Sequence, residues 1–486
     1  METAAESVEH GVFGPLEASG AKAATAGGRP RVRRPDRQQR MMSWDTLDER
    51  LAEDHQARLV WAYVELADLS RLYGMIRSVE GGAGREATDP RILLALWLYA
   101  TLDGVGSARE IDRLCGAHDA YRWICGGVAM NYHSISDFRT GHMELLDQLL
   151  TDSVAALRHE GLVTMTRVAQ DGVRVRAGAG ASSFRRRGTL ERCQAEASEQ
   201  VRRLREELAS DPAAVSRRQR AARERAARER QERLGRALKE MEELERKRPA
   251  PAGGSDAKRE DTNARDQKRG GDGGGDTGGD GGGKPAATKP QSEPRASTTD
   301  ADAHVMKMAD GGFRPAYNIQ YATDTATQII TGVDAGTVGS DQGQMGPMVD
   351  QHADRYGARP GAMLVDGGFA KKSDIERVSS PECGVTVYAP VQKARTEGQD
   401  PHARRPGDSD RIAEWRKRMG SVEGKTIYKE RAATAECVNA TARNRGLHQF
   451  LVRGLAKVKA VALLFALAHN LVRAAALRAH MAAAAG

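Results

Sequence analysis

Between Gly270 and Gly283, ten of fourteen residues are glycine, and from 249 to about 297 almost nothing is apolar. No hydrophobic core can run through such a stretch, because ordering glycine costs backbone entropy that no side-chain burial offsets. Residues 249–297 are therefore read as a flexible, disordered linker, and the fold must be assembled from the chain on either side of it. The Gly-Asp pattern does not build a calcium-binding glycine repeat, which needs an apolar residue in each repeat to form a core. At 486 residues, the chain still has the length for two to four domains.

The charge is uneven as well. Lys and Arg number 74 against 66 Asp and Glu, a net charge of +8 and a pI near 9.2, which favours a polyanionic partner. Most of that excess sits on appendages. Arg29 to Arg40 holds six Arg and one Asp, closing a basic tail over 1–42 that reads as disordered and suited to lie along a phosphate backbone. Residues 201–248 hold sixteen basic and ten acidic side chains. The five cysteines (Cys115, Cys125, Cys193, Cys383 and Cys437) form no CxxC pair, which argues against a disulfide framework or thiolate zinc site and for a reducing compartment. No secretory signal opens the sequence, and the longest apolar run, Ala460–Ala468, is too short to span a bilayer. The expectation is a cytoplasmic protein with no membrane partner.

Patterning divides the rest. Residues 43–165 carry helical apolar spacing, with a start signal at Asp89-Pro90 and a helix start at Ser107-Ala108-Arg109-Glu110. A further short helix from Ser134 to Arg139 sets basic side chains beside an anchoring Phe138. Arg109 and Arg139 are accordingly expected to contact DNA, the exposed basic face of a helix pair being suited to that use. Residues 166–189 open with an alternating strand, Arg167–Val175, in which Gly172 reads as a turn or bulge. Residues 190–248 read as a charged helical hairpin, with Val201, Leu204 and Leu208, then Leu234, Leu238 and Met241, at heptad-like intervals about a Ser210-Asp211-Pro212 break. Ion pairing along a solvated face and contact with DNA are both open for this hairpin.

From 298 to 478 the expectation is two strands around Thr323–Thr327, a helix over Gln342–Tyr356, a strand at Ala362–Val365, a helix over Lys371–Val378 and a strand at Gly384–Pro390. Residues 391–420 read as a loop or insertion, followed by two closing helices. The fold class is α/β, a mixed sheet with a large helical and low-complexity insertion after its first strand, preceded by an α-helical domain.

Two aspartates end short strands beside glycine, Asp171 in Gln-Asp-Gly and Asp366 in Val-Asp-Gly-Gly-Phe. Small neighbours there let a ligand approach the backbone closely. On the helix from Tyr428 to Arg443, Tyr428, Glu436, Asn439 and Arg443 fall within an arc of about 80°, with Glu430 roughly opposite. Glu436 is thus the better third carboxylate. Three carboxylates without His or Cys favour Mg²⁺ or Mn²⁺, and such a site can hold two ions about 4 Å apart for an in-line phosphoryl displacement. His133, His304 and His469 lie on separate segments without ligand spacing and read as structural. Lys307 fits either an edge strand or a DNA contact, and Asp341 reads as the cap of the helix from Gln342.

Together these segments resemble the DDE transposases of bacterial insertion sequences, in the branch with an InsH-type N-terminal domain. The motifs that carry the likeness are Asn131-Tyr132-His133-Ser134-Ile135-Ser136-Asp137-Phe138-Arg139, Val168-Ala169-Gln170-Asp171-Gly172, Ser182-Ser183-Phe184-Arg185-Arg186, the run from Met306 to Asn318, Val365-Asp366-Gly367-Gly368-Phe369 and Tyr428-Lys429-Glu430-Arg431. The resemblance implies an RNase H-like catalytic domain in which Asp171, Asp366 and Glu436 bind two Mg²⁺ or Mn²⁺ ions. It also implies a Tyr, Arg, Glu, Lys signature that maps onto Tyr428, Arg431, Glu436 and position 443. Arg443 replaces the lysine and keeps a cation for phosphate. Four residues rather than the family's usual three separate Arg431 from Glu436, which leaves Glu430 as the alternative acid. The implied activity is binding of an element's terminal inverted repeats, metal-dependent hydrolysis there, and strand transfer to target DNA. Double-stranded DNA would be the partner, with Tyr428, Arg431 and Arg443 on its phosphates. Synapsis of two ends implies at least a dimer, associated with the nucleoid when bound. The alternative is a catalytically decayed copy that still binds DNA.

Overall fold

The computed structural model describes residues 44–78, 86–210, 214–247, 293–393 and 398–485. The expected basic tail over 1–42 lies outside them, as does the glycine-rich linker up to residue 292. Of the short N-terminal unit, Met1–Thr46, only 44–46 are described, and they form neither helix nor strand. The second unit, Leu47–Gly486, holds the described helices and strands.

Seven helices precede the first strand among the described residues: α1 (Gln56–Leu66), α2 (Ser70–Tyr73), α3 (Pro90–Leu102), α4 (Ala108–Ala117), α5 (Asp119–Cys125), α6 (Tyr132–Gly141) and α7 (Met143–His159). Helix α3 begins where the sequence signals it, with the Asp89 carboxylate accepting from Arg91 N–H and Pro90 in the first turn, where its missing N–H costs nothing. It is buried almost all round, from Ile92 to Ala100, so the other helices gather about it. Ser107 caps α4 as expected, whereas α6 starts at the Asn131 cap, three residues before the Ser134 expected from the sequence.

The sheet strands follow, with their helices: β1 (Arg167–Arg176), β2 (Phe184–Arg185), α8 (Arg187–Ser210), α9 (Ala214–Arg246), β3 (Ala296–Ser297), β4 (His304–Lys307), β5 (Phe313–Asp324), β6 (Ile330–Gly336), α10 (Met345–Tyr356), β7 (Ala362–Leu364), α11 (Lys372–Val378) and β8 (Thr386–Tyr388). The chain closes with α12 (Asp410–Gly420), α13 (Val422–Arg431), a π-helical turn over Ala432–Glu436, α14 (Cys437–Asn444) and α15 (Leu455–Ala485). Strand β5 is the backbone of the sheet. It pairs antiparallel with β1 on one side and, on the other, with β4 near its start and β6 near its end. Beyond β1 the sheet turns parallel, through β7 to β8. The result is the mixed α/β architecture expected from the alternation of strands and helices.

Four readings need correction. Gly172 is neither turn nor bulge, since the β1–β5 ladder runs unbroken from Val168 to Arg176 with Gly172 opposite Gln320. Residues 391–420 are not all loop: α12 forms because Ser409 caps it and Ile412, Trp415 and Met419 give it a buried face among many charges. The linker does not extend to 297, because Ala296 and Ser297 are buried and pair with Phe184 and Arg185. This two-stranded clasp closes the base of the α8–α9 hairpin, with Ser183 Oγ 2.7 Å from Ser297 Oγ. The hairpin has its own small core of Leu190, Ala197, Leu234, Ala237 and Met241 against Ala296 and Ala301. Its outer faces carry i,i+3 and i,i+4 pairs such as Arg202 with Glu199 and Glu206. Asp341, lastly, caps nothing: Gln344 occupies the cap position of α10 with no side-chain hydrogen bond.

Helix α15 is long and apolar enough to cross a membrane by composition, but most of its apolar window is buried within the protein. Phe465 packs on Tyr321 with ring centroids 5.5 Å apart. Asn470 brackets residue 330 of β6, accepting from Ile330 N–H and donating to Ile330 O, each at 2.8 Å. An apolar stripe that contacts both the sheet and the N-terminal helices makes α15 the central strut of the core.

Two buried histidines tie stability to pH. His352 is fully buried, its Nδ1–H donating to Met348 O at 2.7 Å and its Nε2 lying 2.8 Å from Thr331 Oγ1. Burial pushes its pKa down from 6.5 to about 4, and burial likewise lowers that of His469 to about 4. The unfolded chain therefore takes up these protons before the folded one. Their contribution is complete above pH 6.5 and is lost as pH falls toward 4. The melting temperature should drop across that window, and the drop should shrink in His352→Gln whatever its melting temperature at pH 7. An unchanged pH slope in that variant would contradict this account.

Candidate active site

Strands β1 and β7 pair only from Arg167 opposite Ala362 to Ala169 opposite Leu364, and then part. Two residues further along the chain stand Asp171, still within β1, and Asp366, just past the end of β7. With a side-chain period of two, the split sets both carboxylates at the same level, on the face that carries Ala169. Asp366 is oriented locally: its Oδ1 accepts from Gly368 N–H at 2.7 Å, capping the short turn Gly367–Phe369.

Asp171 is held from several sides. Its Oδ1 accepts from Gly172 N–H at 3.0 Å and lies 3.0 Å from Arg431 Nη2, and its Oδ2 accepts from Asn439 Nδ2 at 2.9 Å. Both partners come from the C-terminal helices, which approach closely because Ala435 packs flat on Ala169, Ala362 and Leu364. Burial raises the pKa of Asp171; Arg431 opposes this, while the charges of Asp366 and Asp341 add to it. Tyr428 shares the same field. Burial raises its pKa, Arg431 works against the rise, and Asp366, Asp171 and Glu436 reinforce it.

The π turn explains how Arg431 and Glu436 meet despite the extra residue between them. In a regular α-helix, positions five apart are rotated by about 140°. The i→i+5 turn over Ala432–Glu436 absorbs the surplus residue, so Arg431 Nη1 lies 3.6 Å from Glu436 Oε1. The same offset carries Asn439 round to Asp171. Glu430, the alternative acid, turns instead to Arg167 Nε at 2.8 Å and Thr325 Oγ1 at 2.9 Å.

On the other face of β1, Gly172 has a reason of its own. A Cβ there would collide with Asp341 Oδ1, a carboxylate that accepts from Asn318 Nδ2 and Gln320 Nε2, each at 2.7 Å. Asp341 thus fastens the loop before α10 to β5, against Gly172 on the neighbouring strand.

The remaining sequence candidates fare differently. Arg443 is exposed on α14. Arg109 is exposed on α4 and lies over the Tyr132 ring, 5.1 Å from its centroid. Arg139 is not on the exposed basic face expected of it. It is 6% exposed, donates to Gly106 O at 2.7 Å and lies 4.2 Å over the Trp97 ring, and burial lowers its pKa to about 10. The Trp97 ring that covers it comes from α3, so its neighbours on α6 gave no sign of burial. Asn439 and Asp341 belong to the site although the sequence assigned neither a role there. For Asn439 the arc with Tyr428 and Glu436 was no guide, since it assumed a regular helix through the π turn; for Asp341, distant in sequence from every partner it meets, there was no signal either.

Among the described residues, no three His, Cys, Asp or Glu side chains form a ready-made metal cage. Arg431 stands between two of the carboxylates, and all the acids that converge here are hard oxygen donors. If the π turn is a register correction, deleting Ala433 should leave a regular helix that melts close to the parent protein. Inserting a second alanine at that point should lower the melting temperature distinctly. A deletion as damaging as the insertion would refute the idea.

Family profiles match the chain at two places. A transposase domain (DUF772) covers residues 45–141, and a transposase DDE domain covers 395–475. The second span contains Tyr428, Arg431, Glu436, Asn439 and Arg443, and the first contains α1 to α6. No curated protein and no solved structure is significantly similar to the chain. Transposase domains matched toward both ends support the assignment of the chain as a DDE transposase of an insertion element.

Proposed function

We propose that the protein cuts and joins DNA as a metal-dependent transposase, with Asp171, Asp366 and Glu436 as its acidic set. The observation that carries the reading is the split between β1 and β7. It levels two aspartates at the mouth of a parallel strand pair and faces them with a helix bearing Glu436, Arg431 and Tyr428. An RNase H-like catalytic domain, assembled from 166–189 and 298–478, is supported by the sheet order β6-β5-β1-β7-β8, antiparallel through β1 and parallel after it. In this reading the helices over 43–165 bind DNA, and the hairpin over 190–248 is an insertion.

The donor set fits Mg²⁺ or Mn²⁺, being all oxygen with one carboxylate half-desolvated. Two such ions held by Asp171, Asp366 and Glu436 would supply activation of the attacking oxygen and charge for the leaving oxygen. The chain's own side chains position the substrate. Arg431 and Arg443 offer charge-assisted hydrogen bonds to phosphate, and Tyr428 lends a hydroxyl beside them. Water attacks the phosphodiester at the element end and frees a 3′-hydroxyl. That hydroxyl then attacks a target phosphodiester, so that one bond breaks for each bond formed. The DNA partners are the element ends and the target, bound by a dimer or larger assembly.

A second reading, a DNA-binding protein without catalysis, draws support from the ion pairs of Arg431 with Asp171 and Glu436, which occupy the acids. Duplex DNA taken from either side of the reading frame separates the two. With Mg²⁺ the purified protein should cut it, and Asp366→Asn should reduce cutting by several orders of magnitude. Binding that is indifferent to Mg²⁺, with no cutting under any condition, selects the second reading.

A further inference from the structure

Asp171 has two kinds of partner, and they differ in what they do to its charge. Arg431 is 9% exposed and sets a cationic fork between Asp171 Oδ1, at 3.0 Å, and Glu436 Oε1, at 3.6 Å. Asn439 is 5% exposed and donates a neutral N–H to Asp171 Oδ2 at 2.9 Å. A guanidinium and a metal ion compete for the same negative charge. An amide orients a carboxylate without neutralising it, and so does not compete.

We infer that Arg431 is a removable counter-ion that keeps cations off Asp171 and Glu436 until DNA phosphate draws its guanidinium away, while Asn439 is the fixed positioning residue for Asp171. This rests on reading Asp171, Asp366 and Glu436 as the cation-binding set. Three further observations support the division of labour. The Nε of Arg431 is buried without a partner, so the fork is not fully satisfied where it stands. Phosphate matches that planar fork bidentately, which makes it a competitive alternative to one oxygen of each of two carboxylates. Arg431 also stands where α13 gives way to the π turn, a point at which the regular helical hydrogen bonding is interrupted. Asn439, by contrast, lies inside the regular helix α14 and keeps hold of Oδ2 when Oδ1 is released. Because coupling between two ligands is reciprocal, DNA should tighten cation binding by the same factor as the cation tightens DNA binding.

The test is Mn²⁺ binding by the full chain, followed by electron paramagnetic resonance after chelator stripping, with a thermal melt of every variant. Without DNA, Arg431→Gln, which keeps bulk and loses charge, should bind Mn²⁺ about tenfold or more tighter than the parent, the scale of one charge-assisted hydrogen bond. Arg431→Ala serves as the second variant should the glutamine form melt early. Unchanged or weaker Mn²⁺ binding in both overturns the counter-ion role. Asn439→Ala should weaken Mn²⁺ binding with and without Arg431, whereas Asn439→Asp, which adds charge but loses the donor, should not restore the geometry seen in the spectrum. A parent-like spectrum in Asn439→Ala overturns the positioning role. Adding the flanking duplex should tighten Mn²⁺ binding in the parent and leave Arg431→Gln unmoved; an equal response in both, including none, overturns the phosphate step. Asp171→Asn separates this from the underlying reading: if it binds Mn²⁺ as well as the parent, the acidic set itself is misassigned.

Discussion

A carboxylate half-buried in a sheet must be given a partner, and Asp171 obtains both of its side-chain partners from one distant segment, 260 residues or more along the chain. That requirement organises the half of the molecule that holds the sheet. Arg431 and Asn439 can reach β1 only if the helices that carry them press against the strands, and Ala435 on Ala169 and Leu364 supplies the close, flat contact. The π turn then sets the rotation, so that both side chains arrive on the same acid. Burial, small-residue packing and helical register are three parts of one constraint.

The sheet makes the complementary contribution. Parallel pairing of β1 with β7 stops after Ala169 and Leu364, and Asp171 and Asp366 follow two residues later in the chain. On the other face of β1, Asp341 with Asn318 and Gln320 holds the loop that follows β6 against Gly172. The strand bearing Asp171 is thus fixed from both faces, by the C-terminal helices on one and by a polar network on the other. Further out, α15 ties β5 and β6 to the helices that precede the sheet, through Phe465 on Tyr321 and Asn470 on residue 330.

How much of this could be read in advance depended on the range of the interaction. Signals carried by neighbours in sequence were legible: the Asp89-Pro90 start of α3, the Ser107 cap of α4, and the alternation that marks β1 and β5. So were the strands that lead to each Asp-Gly pair, although Asp171 lies inside β1, which runs on to Arg176, rather than at a strand's end. Signals that require a partner from elsewhere were misread. Arg139 looks exposed and basic on its own helix, and becomes a buried side chain only because Trp97 of α3 covers it. Asp341 looks like a cap until the strands bring Asn318 and Gln320 to it. Helix α12 hid its buried face among lysines and arginines. The five-residue step from Arg431 to Glu436 could not be resolved at all, since a single extra residue in a helix looks the same whether it spoils the register or is absorbed by a π turn.

The clasp between Phe184–Arg185 and Ala296–Ser297 has a bearing on how such a chain can change over generations. It joins the two ends of the excursion before they enter the sheet, and the hairpin above it keeps a separate core. For a loop already closed at its base, doubling the enclosed length costs only about 0.6 kcal/mol. Whatever is gained or lost between Arg187 and Arg295 is therefore felt weakly at Asp171. The enclosed segment is a place where sequence can be accepted, shed or rewritten at small cost to the sheet that carries Asp171.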